Sequence, residues 1–287
     1  MQYITIEYFK DTNFGDAVNN LIFPYFTRGT FVDAGNRAAT DSNTLTILGI
    51  GSIMDRASSK CAVCGSGIIS PGHSIGKPGS IKWVRGPLTR GLLLKANIPC
   101  PEIYGDPTLL LPFIIQPKPA PKTHLIGFIP HYVDKNTPSA KQLASLGLYF
   151  IDIRNYRTYQ NFVDKVTSCR YIISSSLHGI IVADAYNIPA YRIKLSNNVI
   201  GGDFKFRDYY MSVNREYHEI SLDSLSAKPP ASPRLALTEI IRQCRPYKCS
   251  INIRKILQAM PAANEEVKQA CLDKLDDGFM GYIHKQT

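Results

Sequence analysis

Long apolar runs are missing from this 287-residue chain, and none approaches the roughly 20 residues that a helix needs to cross a bilayer. The first residues, Met1 to Ile6, read as a strand and lack the basic end and apolar stretch of a signal peptide. A cytoplasmic protein is therefore expected, with peripheral contact at the inner face of the cell membrane as the alternative. A second close pair of cysteines is also missing. Cys61 and Cys64 form one C-x-x-C, and zinc would want another, so they read as core cysteines and no metal is expected. The seven cysteines are odd in number and lie mostly in apolar segments, which points to a reduced compartment. Acidic side chains are in deficit, 23 against 33 Lys plus Arg, for a net charge of +10. Such a surface suits nucleic acid, a phosphorylated substrate or an acidic membrane face, without choosing among them. Hydrophobic residues at 44% and charged residues at 20% exclude disorder, collagen and coiled coil.

What the chain does contain is a series of short apolar segments that end in glycine. Leu45–Leu48 runs into Gly49 and Gly51, Cys61–Cys64 into Gly65 and Gly67, and Ser80–Arg85 into Gly86 and Pro87. Each reads as a buried strand followed by a tight turn, and Pro87 suits the first turn of a helix over Leu88–Lys95. Pro117, Pro119 and Pro121 stiffen the segment 116–123 and mark a domain boundary. The alternation then restarts. Strands are expected at His124–Pro130, Leu148–Ile153, Tyr171–Ser174 and Ala190–Lys194. Helices are expected at Ser139–Ser145, Thr158–Ser168 and Leu177–Tyr186. This pattern predicts an α/β fold with two Rossmann-like domains, residues 1–120 and 121–287, each built on a parallel sheet. The first carries 11 basic and 8 acidic residues and the second 22 and 15. Basic helices are expected near the C-terminus. Arg234–Leu257 holds six basic residues and one acid, Glu239, interleaved with apolar side chains. It reads either as a solvated helical face or as a patch that docks on a membrane.

Several positions could carry chemistry. Asn13 to Asp16 follow the first strand. Gly15 permits a tight turn, and Asp16 is expected to cap a helix beginning near Ala17. Alternatively, Asn13 and Asp16 face a ligand beyond the carboxyl end of the strand. Ser52 and the glycines around it would line the same groove. Arg85 leaves its strand just before a helix start, a place suited to a carboxylate or phosphate. Pairing with Asp106 is the structural alternative. The sharpest stretch is Arg170–Tyr186. A buried strand delivers Ser174, Ser175 and Ser176, and a helix begins at once, with His178 in its first turn. Helix-start amides favour an anion there, and Gly179 would let a ligand approach closely. His131 occupies the comparable position after the strand His124–Pro130. Lys205, Arg207 and Asp208 form a charged, aromatic stretch that reads as a flexible flap or a solvated loop.

Taken in order, Asn13–Asn19, Gly65–Ile68, Val84–Arg90, Gly105–Pro112, Ile129–Tyr132, Ser175–Gly179 and Lys205–Tyr210 resemble one motif set, spread over about residues 11–210. It is that of the polysaccharide pyruvyltransferases, especially the bacterial ketal pyruvyltransferases of the succinoglycan and xanthan type. The resemblance implies a fold like glycosyltransferase type B, with an acceptor-side domain and a donor-side domain facing a cleft. It implies phosphoenolpyruvate as co-substrate, no cofactor, and a sugar of a lipid-linked oligosaccharide or exopolysaccharide as acceptor. On that basis His178, His131 and Asp16 are the catalytic candidates. Asn13, Gly15, Ser52, Arg85, Ser175, Ser176, Gly179, Lys205 and Arg207 are the substrate-binding candidates. Some members of the family have arginine where this chain has Ser176, so other basic residues must neutralise the donor. Two further readings compete. A sugar-nucleotide glycosyltransferase of the same fold is disfavoured by the lack of an evident acidic ribose-binding motif. A non-catalytic nucleic-acid-binding protein fits the charge, but no recognisable motif supports it.

Overall fold

The computed structural model describes residues 3–9, 11–32, 44–119, 121–222 and 233–279; Met1 and Gln2 of the expected first strand lie outside them. Ten helices are described: α1 (Phe14–Ala17), α2 (Asn19–Phe26), α3 (Pro87–Lys95), α4 (Pro138–Ser145), α5 (Tyr159–Thr167), α6 (Leu177–Ala185), α7 (Phe204–Ser212), α8 (Pro233–Gln243), α9 (Ile253–Ala259) and α10 (Glu265–Asp276). The fold is α/β, and the chain separates into two compact units. The first comprises Met1–Ile114, Gly201–Glu216 and Lys248–Thr287, and the second Ile115–Ile200 and Tyr217–Tyr247. The break after Ile114 falls beside the proline-rich segment. Residues 201–216 and 248–287, however, belong to the first unit, where a linear reading places all of 121–287 in one domain.

In the first unit β1 (Tyr3–Glu7), β2 (Thr30–Phe31), β3 (Thr44–Leu48), β4 (Cys61–Cys64) and β5 (Ser80–Trp83) form a parallel sheet in the order β2-β1-β3-β4-β5. β4 is buried at every residue, as a strand inside a parallel sheet with helices on its faces must be. Cys61 and Cys64 are therefore core side chains. Pro87 stands at the start of α3, where its missing N–H is no loss. The late segments return because their apolar residues find cover here: Ile253, Ile256 and Leu257 are fully buried. Backbone bonds fasten them, from Ser250 N to Val213 O (2.9 Å), Arg28 N to Ala262 O (2.7 Å) and Asn264 N to Phe26 O (2.9 Å).

In the second unit β6 (His124–Ile129), β7 (Tyr149–Phe150), β8 (Cys169–Ser174), β9 (Ala190–Ile193) and β10 (Glu219–Ile220) are parallel in the order β10-β9-β8-β6-β7. Thr137 and Thr158 cap α4 and α5 by accepting from Ala140 N (3.2 Å) and Asn161 N (3.1 Å). α6 is apolar nearly all round and buried at eight of its nine residues, which makes it a core helix. Tyr247 Oη donates to Asp184 Oδ1 on α6 (2.6 Å) and accepts from Ala190 N at the start of β9 (2.6 Å).

The basic stretch Arg234–Leu257 is divided between the units. Ala236 and Ile240 join the second core, while Ile251, Ile253, Ile256 and Leu257 are buried in the first. Most of its apolar side chains are thus covered by protein. Arg242 pairs with Glu239 at 2.9 Å, while the Arg234 side chain lies outside the described residues. Among the described residues no helix is long and apolar enough to cross a membrane.

Burial pushes the thiols of Cys100, Cys169 and Cys271 up to about 11 and that of Cys244 to about 12, and it raises Cys64 further still. A folded value above the unfolded one gives stability that is complete below the unfolded value, near 9, and lost as pH rises toward 11. A fully buried thiol such as Cys169 then contributes a slope of up to roughly 1.4 kcal/mol per pH unit in that window. Melting temperature should therefore fall from pH 9 to pH 11, and Cys169→Ala, though less stable at pH 7, should show a shallower fall. Parallel melting curves for the two proteins would reject this account.

Candidate functional site

In the first unit the chain leaves β1 through Asn13, whose side chain accepts from Gly15 N (3.2 Å) and caps α1. The helix starts at Phe14, so Asp16 lies inside its first turn, and Asn13 takes the capping role expected of Asp16. Buried Asn19 donates to the carbonyls of Asp16 (2.9 Å) and Ile50 (3.3 Å) and accepts from Ile50 N (2.8 Å). It locks the turn after β1 to the turn after β3, a role that sequence reading missed.

Arg85 is 1% exposed. Its Nε donates to Asp208 Oδ2 (3.0 Å), one terminal nitrogen donates to Ser52 Oγ, and the other donates to Ile68 O (2.9 Å). Asp208 also accepts from Thr89 N (2.9 Å) and Thr89 Oγ1 (2.7 Å). A Cβ on Gly67 would lie 2.3 Å from Arg85 Cζ, and one on Gly86 would lie 2.0 Å from Asp208 O. Glycine at both places is what lets the turns close on the ion pair. The partner of Arg85 is therefore Asp208. Asp106 instead caps the 3₁₀ turn Pro107–Phe113, accepting from Thr108 N (2.9 Å). Arg85 and Ser52, expected to meet substrate, are engaged inside the fold.

Lys205 and Arg207 lie on α7, which is a helix and not a flap or loop. Lys205, Phe206, Asp208, Tyr209 and Tyr210 are buried and Arg207 is exposed. Packing of this helix carries Asp208 to Arg85, and it places Lys205 and Arg207 in the first unit.

In the second unit β6 and β8 are neighbours with Ile129 opposite Ser174, so the turns that leave them emerge side by side. Ser174 Oγ lies 2.7 Å from Ile129 O and accepts from Ser176 N (3.0 Å). Ser175 Oγ accepts from His131 N (2.9 Å), which ties the two turns together. Ser176 is the residue before α6 and makes no side-chain capping bond, and half-buried His178 is the second residue of that helix. A Cβ on Gly179 would sit 2.4 Å from Ser174 Oγ and 3.0 Å from Ile129 Cγ2. This glycine admits the neighbouring strands, where the sequence suggested a ligand.

Two further residues support the His131 turn. Asp134 is fully buried; its N–H donates to His131 O (2.8 Å) and its carboxylate accepts from Ser196 Oγ in the segment after β9. The guanidinium of exposed Arg154 lies 3.5 Å from the ring centroid of Tyr132, whose ring is 4.3 Å from that of His131. Asp134 could have been suspected from its place in the segment His131–Asp134. No local signal marks Arg154. Thus His131, Ser175, Ser176, His178 and Gly179 share one region of the second unit. Asn13, Gly15, Asp16, Ser52, Arg85, Lys205 and Arg207 belong to the first. Among the described residues no group of three or more His, Cys, Asp or Glu side chains could hold a metal ion.

The profile of the family "Polysaccharide pyruvyl transferase" matches residues 83–197, a span that holds Arg85 and all five candidates of the second unit. The chain is 30% identical over 217 residues to the uncharacterized protein L143 of Acanthamoeba polyphaga mimivirus, covering 72% of this chain and 73% of that protein. It is 26% identical over 214 residues to the succinoglycan biosynthesis protein ExoV of Rhizobium meliloti, covering 71% of this chain and 63% of ExoV. No solved structure matches significantly.

Removing one member of a buried ion pair leaves the other charge uncompensated, at a cost of about 3–5 kcal/mol. Arg85→Met and Asp208→Leu should each lower the unfolding free energy measured by urea titration by that amount, and the double variant should recover part of the loss. An Arg85→Met protein of unchanged stability would show that the pair is not structural.

Proposed function

The chain belongs to the polysaccharide pyruvyl transferase family, and from that premise we propose that it moves the pyruvyl group of phosphoenolpyruvate onto two hydroxyls of one sugar. The acceptor is a saccharide of the exopolysaccharide type, free or lipid-linked; the succinoglycan role in ExoV's name supports this choice. The observation that carries the reading is the bond from His131 N to Ser175 Oγ, which holds one histidine turn against the start of the helix that bears the other.

The donor carries a carboxylate and a phosphate close together, and its site must meet both charges. In this proposal the first-turn amides of α6 and the guanidinium of Arg154 do so. A histidine protonates the methylene carbon, which becomes a methyl group and leaves an oxocarbenium-like centre at C2. The first sugar hydroxyl bonds to C2 and gives up its proton. The C2–O bond to phosphate breaks, phosphate departs with the electron pair, and the second hydroxyl bonds to C2 and gives its proton to the base, closing the ketal. His178 and His131 are the acid and base for these transfers. A positioned acid or base contributes about 10²–10⁴-fold to such a step. Neither metal nor organic cofactor enters this scheme.

Phosphoenolpyruvate should raise the melting temperature more than uridine or guanosine diphosphate sugars do, since a ligand of the native state at 100 times its Kd adds about 2.7 kcal/mol. Stabilisation by a nucleotide sugar alone would make the chain a glycosyltransferase.

Phosphate release with a pyranoside or lipid-linked acceptor should fall about 100-fold or more in His178→Ala, with the melting temperature little changed. His178→Gln, which cannot transfer a proton at neutral pH, should be equally poor. Near-normal turnover in His178→Gln would remove His178 from the chemistry. Arg154→Gln should raise KM for phosphoenolpyruvate and leave that for the acceptor unchanged.

A further inference from the structure

We propose that the first unit holds a separate subsite for one uncharged sugar ring. A cavity of about 290 Å³ opens between the segment Glu102–Tyr104, the end of α7 and the start of α9. Glu102, Tyr104, Asn252 and Lys255 supply its polar walls, and Ile103 and Ile251 its apolar ones.

The walls are fixed by backbone. Val84 N donates to Ile103 O (3.2 Å) and Gly105 N to Val84 O (3.0 Å), so the Tyr104 segment extends the sheet beyond β5. Gly105 has a φ of +143°, and a Cβ there would lie 2.6 Å from the methyls of both Ile251 and Ile256. Its missing side chain lets α9 come in close enough to shape the cavity. Asn252 Oδ1 accepts from Lys255 N (3.0 Å), which sets the first turn of α9. Tyr104 Oη lies 3.4 Å from Glu102 Oε1, and burial together with Glu102 raises its phenol, so it remains a hydroxyl donor at neutral pH.

Size and chemistry define the ligand. Ligand pockets run from about 300 to 1,000 Å³, so this one takes a single ring and not a nucleotide. A carboxylate, an ammonium, an amide and a phenol line one small space. An anion would meet Glu102 and a cation would meet Lys255, whereas a neutral polyol can donate to the first and accept from the second. The Tyr104 ring adds a flat apolar surface for the C–H face of a pyranose. No residue of this cavity belongs to the His131–His178 region. Use of the subsite for a further sugar of the acceptor chain rests on the pyruvyl-transfer reading; sugar binding itself does not.

Saturation-transfer NMR on the whole chain, with the methyl pyranosides of glucose, galactose and mannose, tests this. At least one glycoside should bind and perturb the Tyr104 ring. Tyr104→Ala should weaken binding about tenfold or more, and Glu102→Gln and Lys255→Met about fivefold each, one or two hydrogen bonds' worth. Both charged residues are exposed, so these two variants remain informative even if Tyr104→Ala fails to fold. The subsite is overturned if no glycoside binds, if binding survives all the substitutions, or if gluconate or glucosamine binds more tightly than the neutral sugar. Glycoside binding without any response to phosphoenolpyruvate would instead sink the pyruvyl-transfer reading and leave the subsite standing.

Discussion

A guanidinium taken out of water must be neutralised where it lies, and in the first unit that demand organises the chain. Arg85 and Asp208 are 123 positions apart, with most of the second unit's sequence lying between them. Around the pair the sequence has little freedom. Gly67 and Gly86 give up their side chains to it, Thr89 feeds Asp208 from the start of α3, and Ser52 completes the coordination. Each donor matters because a buried charge with an incomplete set of hydrogen bonds is far less stable than an apolar pair of the same shape. Two of this unit's turn glycines, Gly67 and Gly86, are thus explained by packing around one ion pair.

The second unit is governed by a different constraint. Parallel strands put all their carboxyl ends on one edge of the sheet, so whatever follows adjacent strands must emerge together. Here β6 and β8 deliver Pro130-His131 and Ser174–Ser176 side by side. The three serines then divide the work. Ser174 serves the backbone, Ser175 holds the His131 turn, and Ser176 stands at the start of α6 without a side-chain capping bond. Asp134 adds a tether to the segment after β9. His131 is accordingly a turn residue with a rigid support, which is what a proton-transfer group needs if its geometry is to be held.

Most strands and several helices of this fold were legible in the sequence because each is a local pattern, an apolar run before a glycine or a proline at a helix start; the two-residue strands β2 and β10 were not read. α6 was placed at Leu177–Tyr186 and runs Leu177–Ala185. The helix over Phe204–Ser212 was not seen, because its pattern is neither apolar nor amphipathic; its charges look solvated until Asp208 is known to face Arg85. The return of 201–216 and 248–287 to the first unit was invisible for the same reason, since long-range packing leaves no periodic trace. At the candidate site His131 and the 175–179 turn could be read from strand ends. Asp134 could have been suspected from its place beside His131, whereas Arg154 and Asn19 could not, because their partners lie in other segments.

This division bears on how the donor's charge is met. The cations that sequence reading assigned to it are Arg85 and Lys205. The first is already paired, and both belong to the first unit. Arg192, on β9 beside β8, is bound to Glu219 (3.2 Å) and Tyr217. Arg154, stacked on Tyr132, is a cation beside the His131 turn, and the first-turn amides of α6 add partial positive charge. If phosphoenolpyruvate rests there, a protonated histidine completes the balance when the donor arrives and supplies the proton that its methylene carbon requires. One group then serves binding and chemistry in turn, so a site with few fixed cations is suited to a reaction that must begin with a proton.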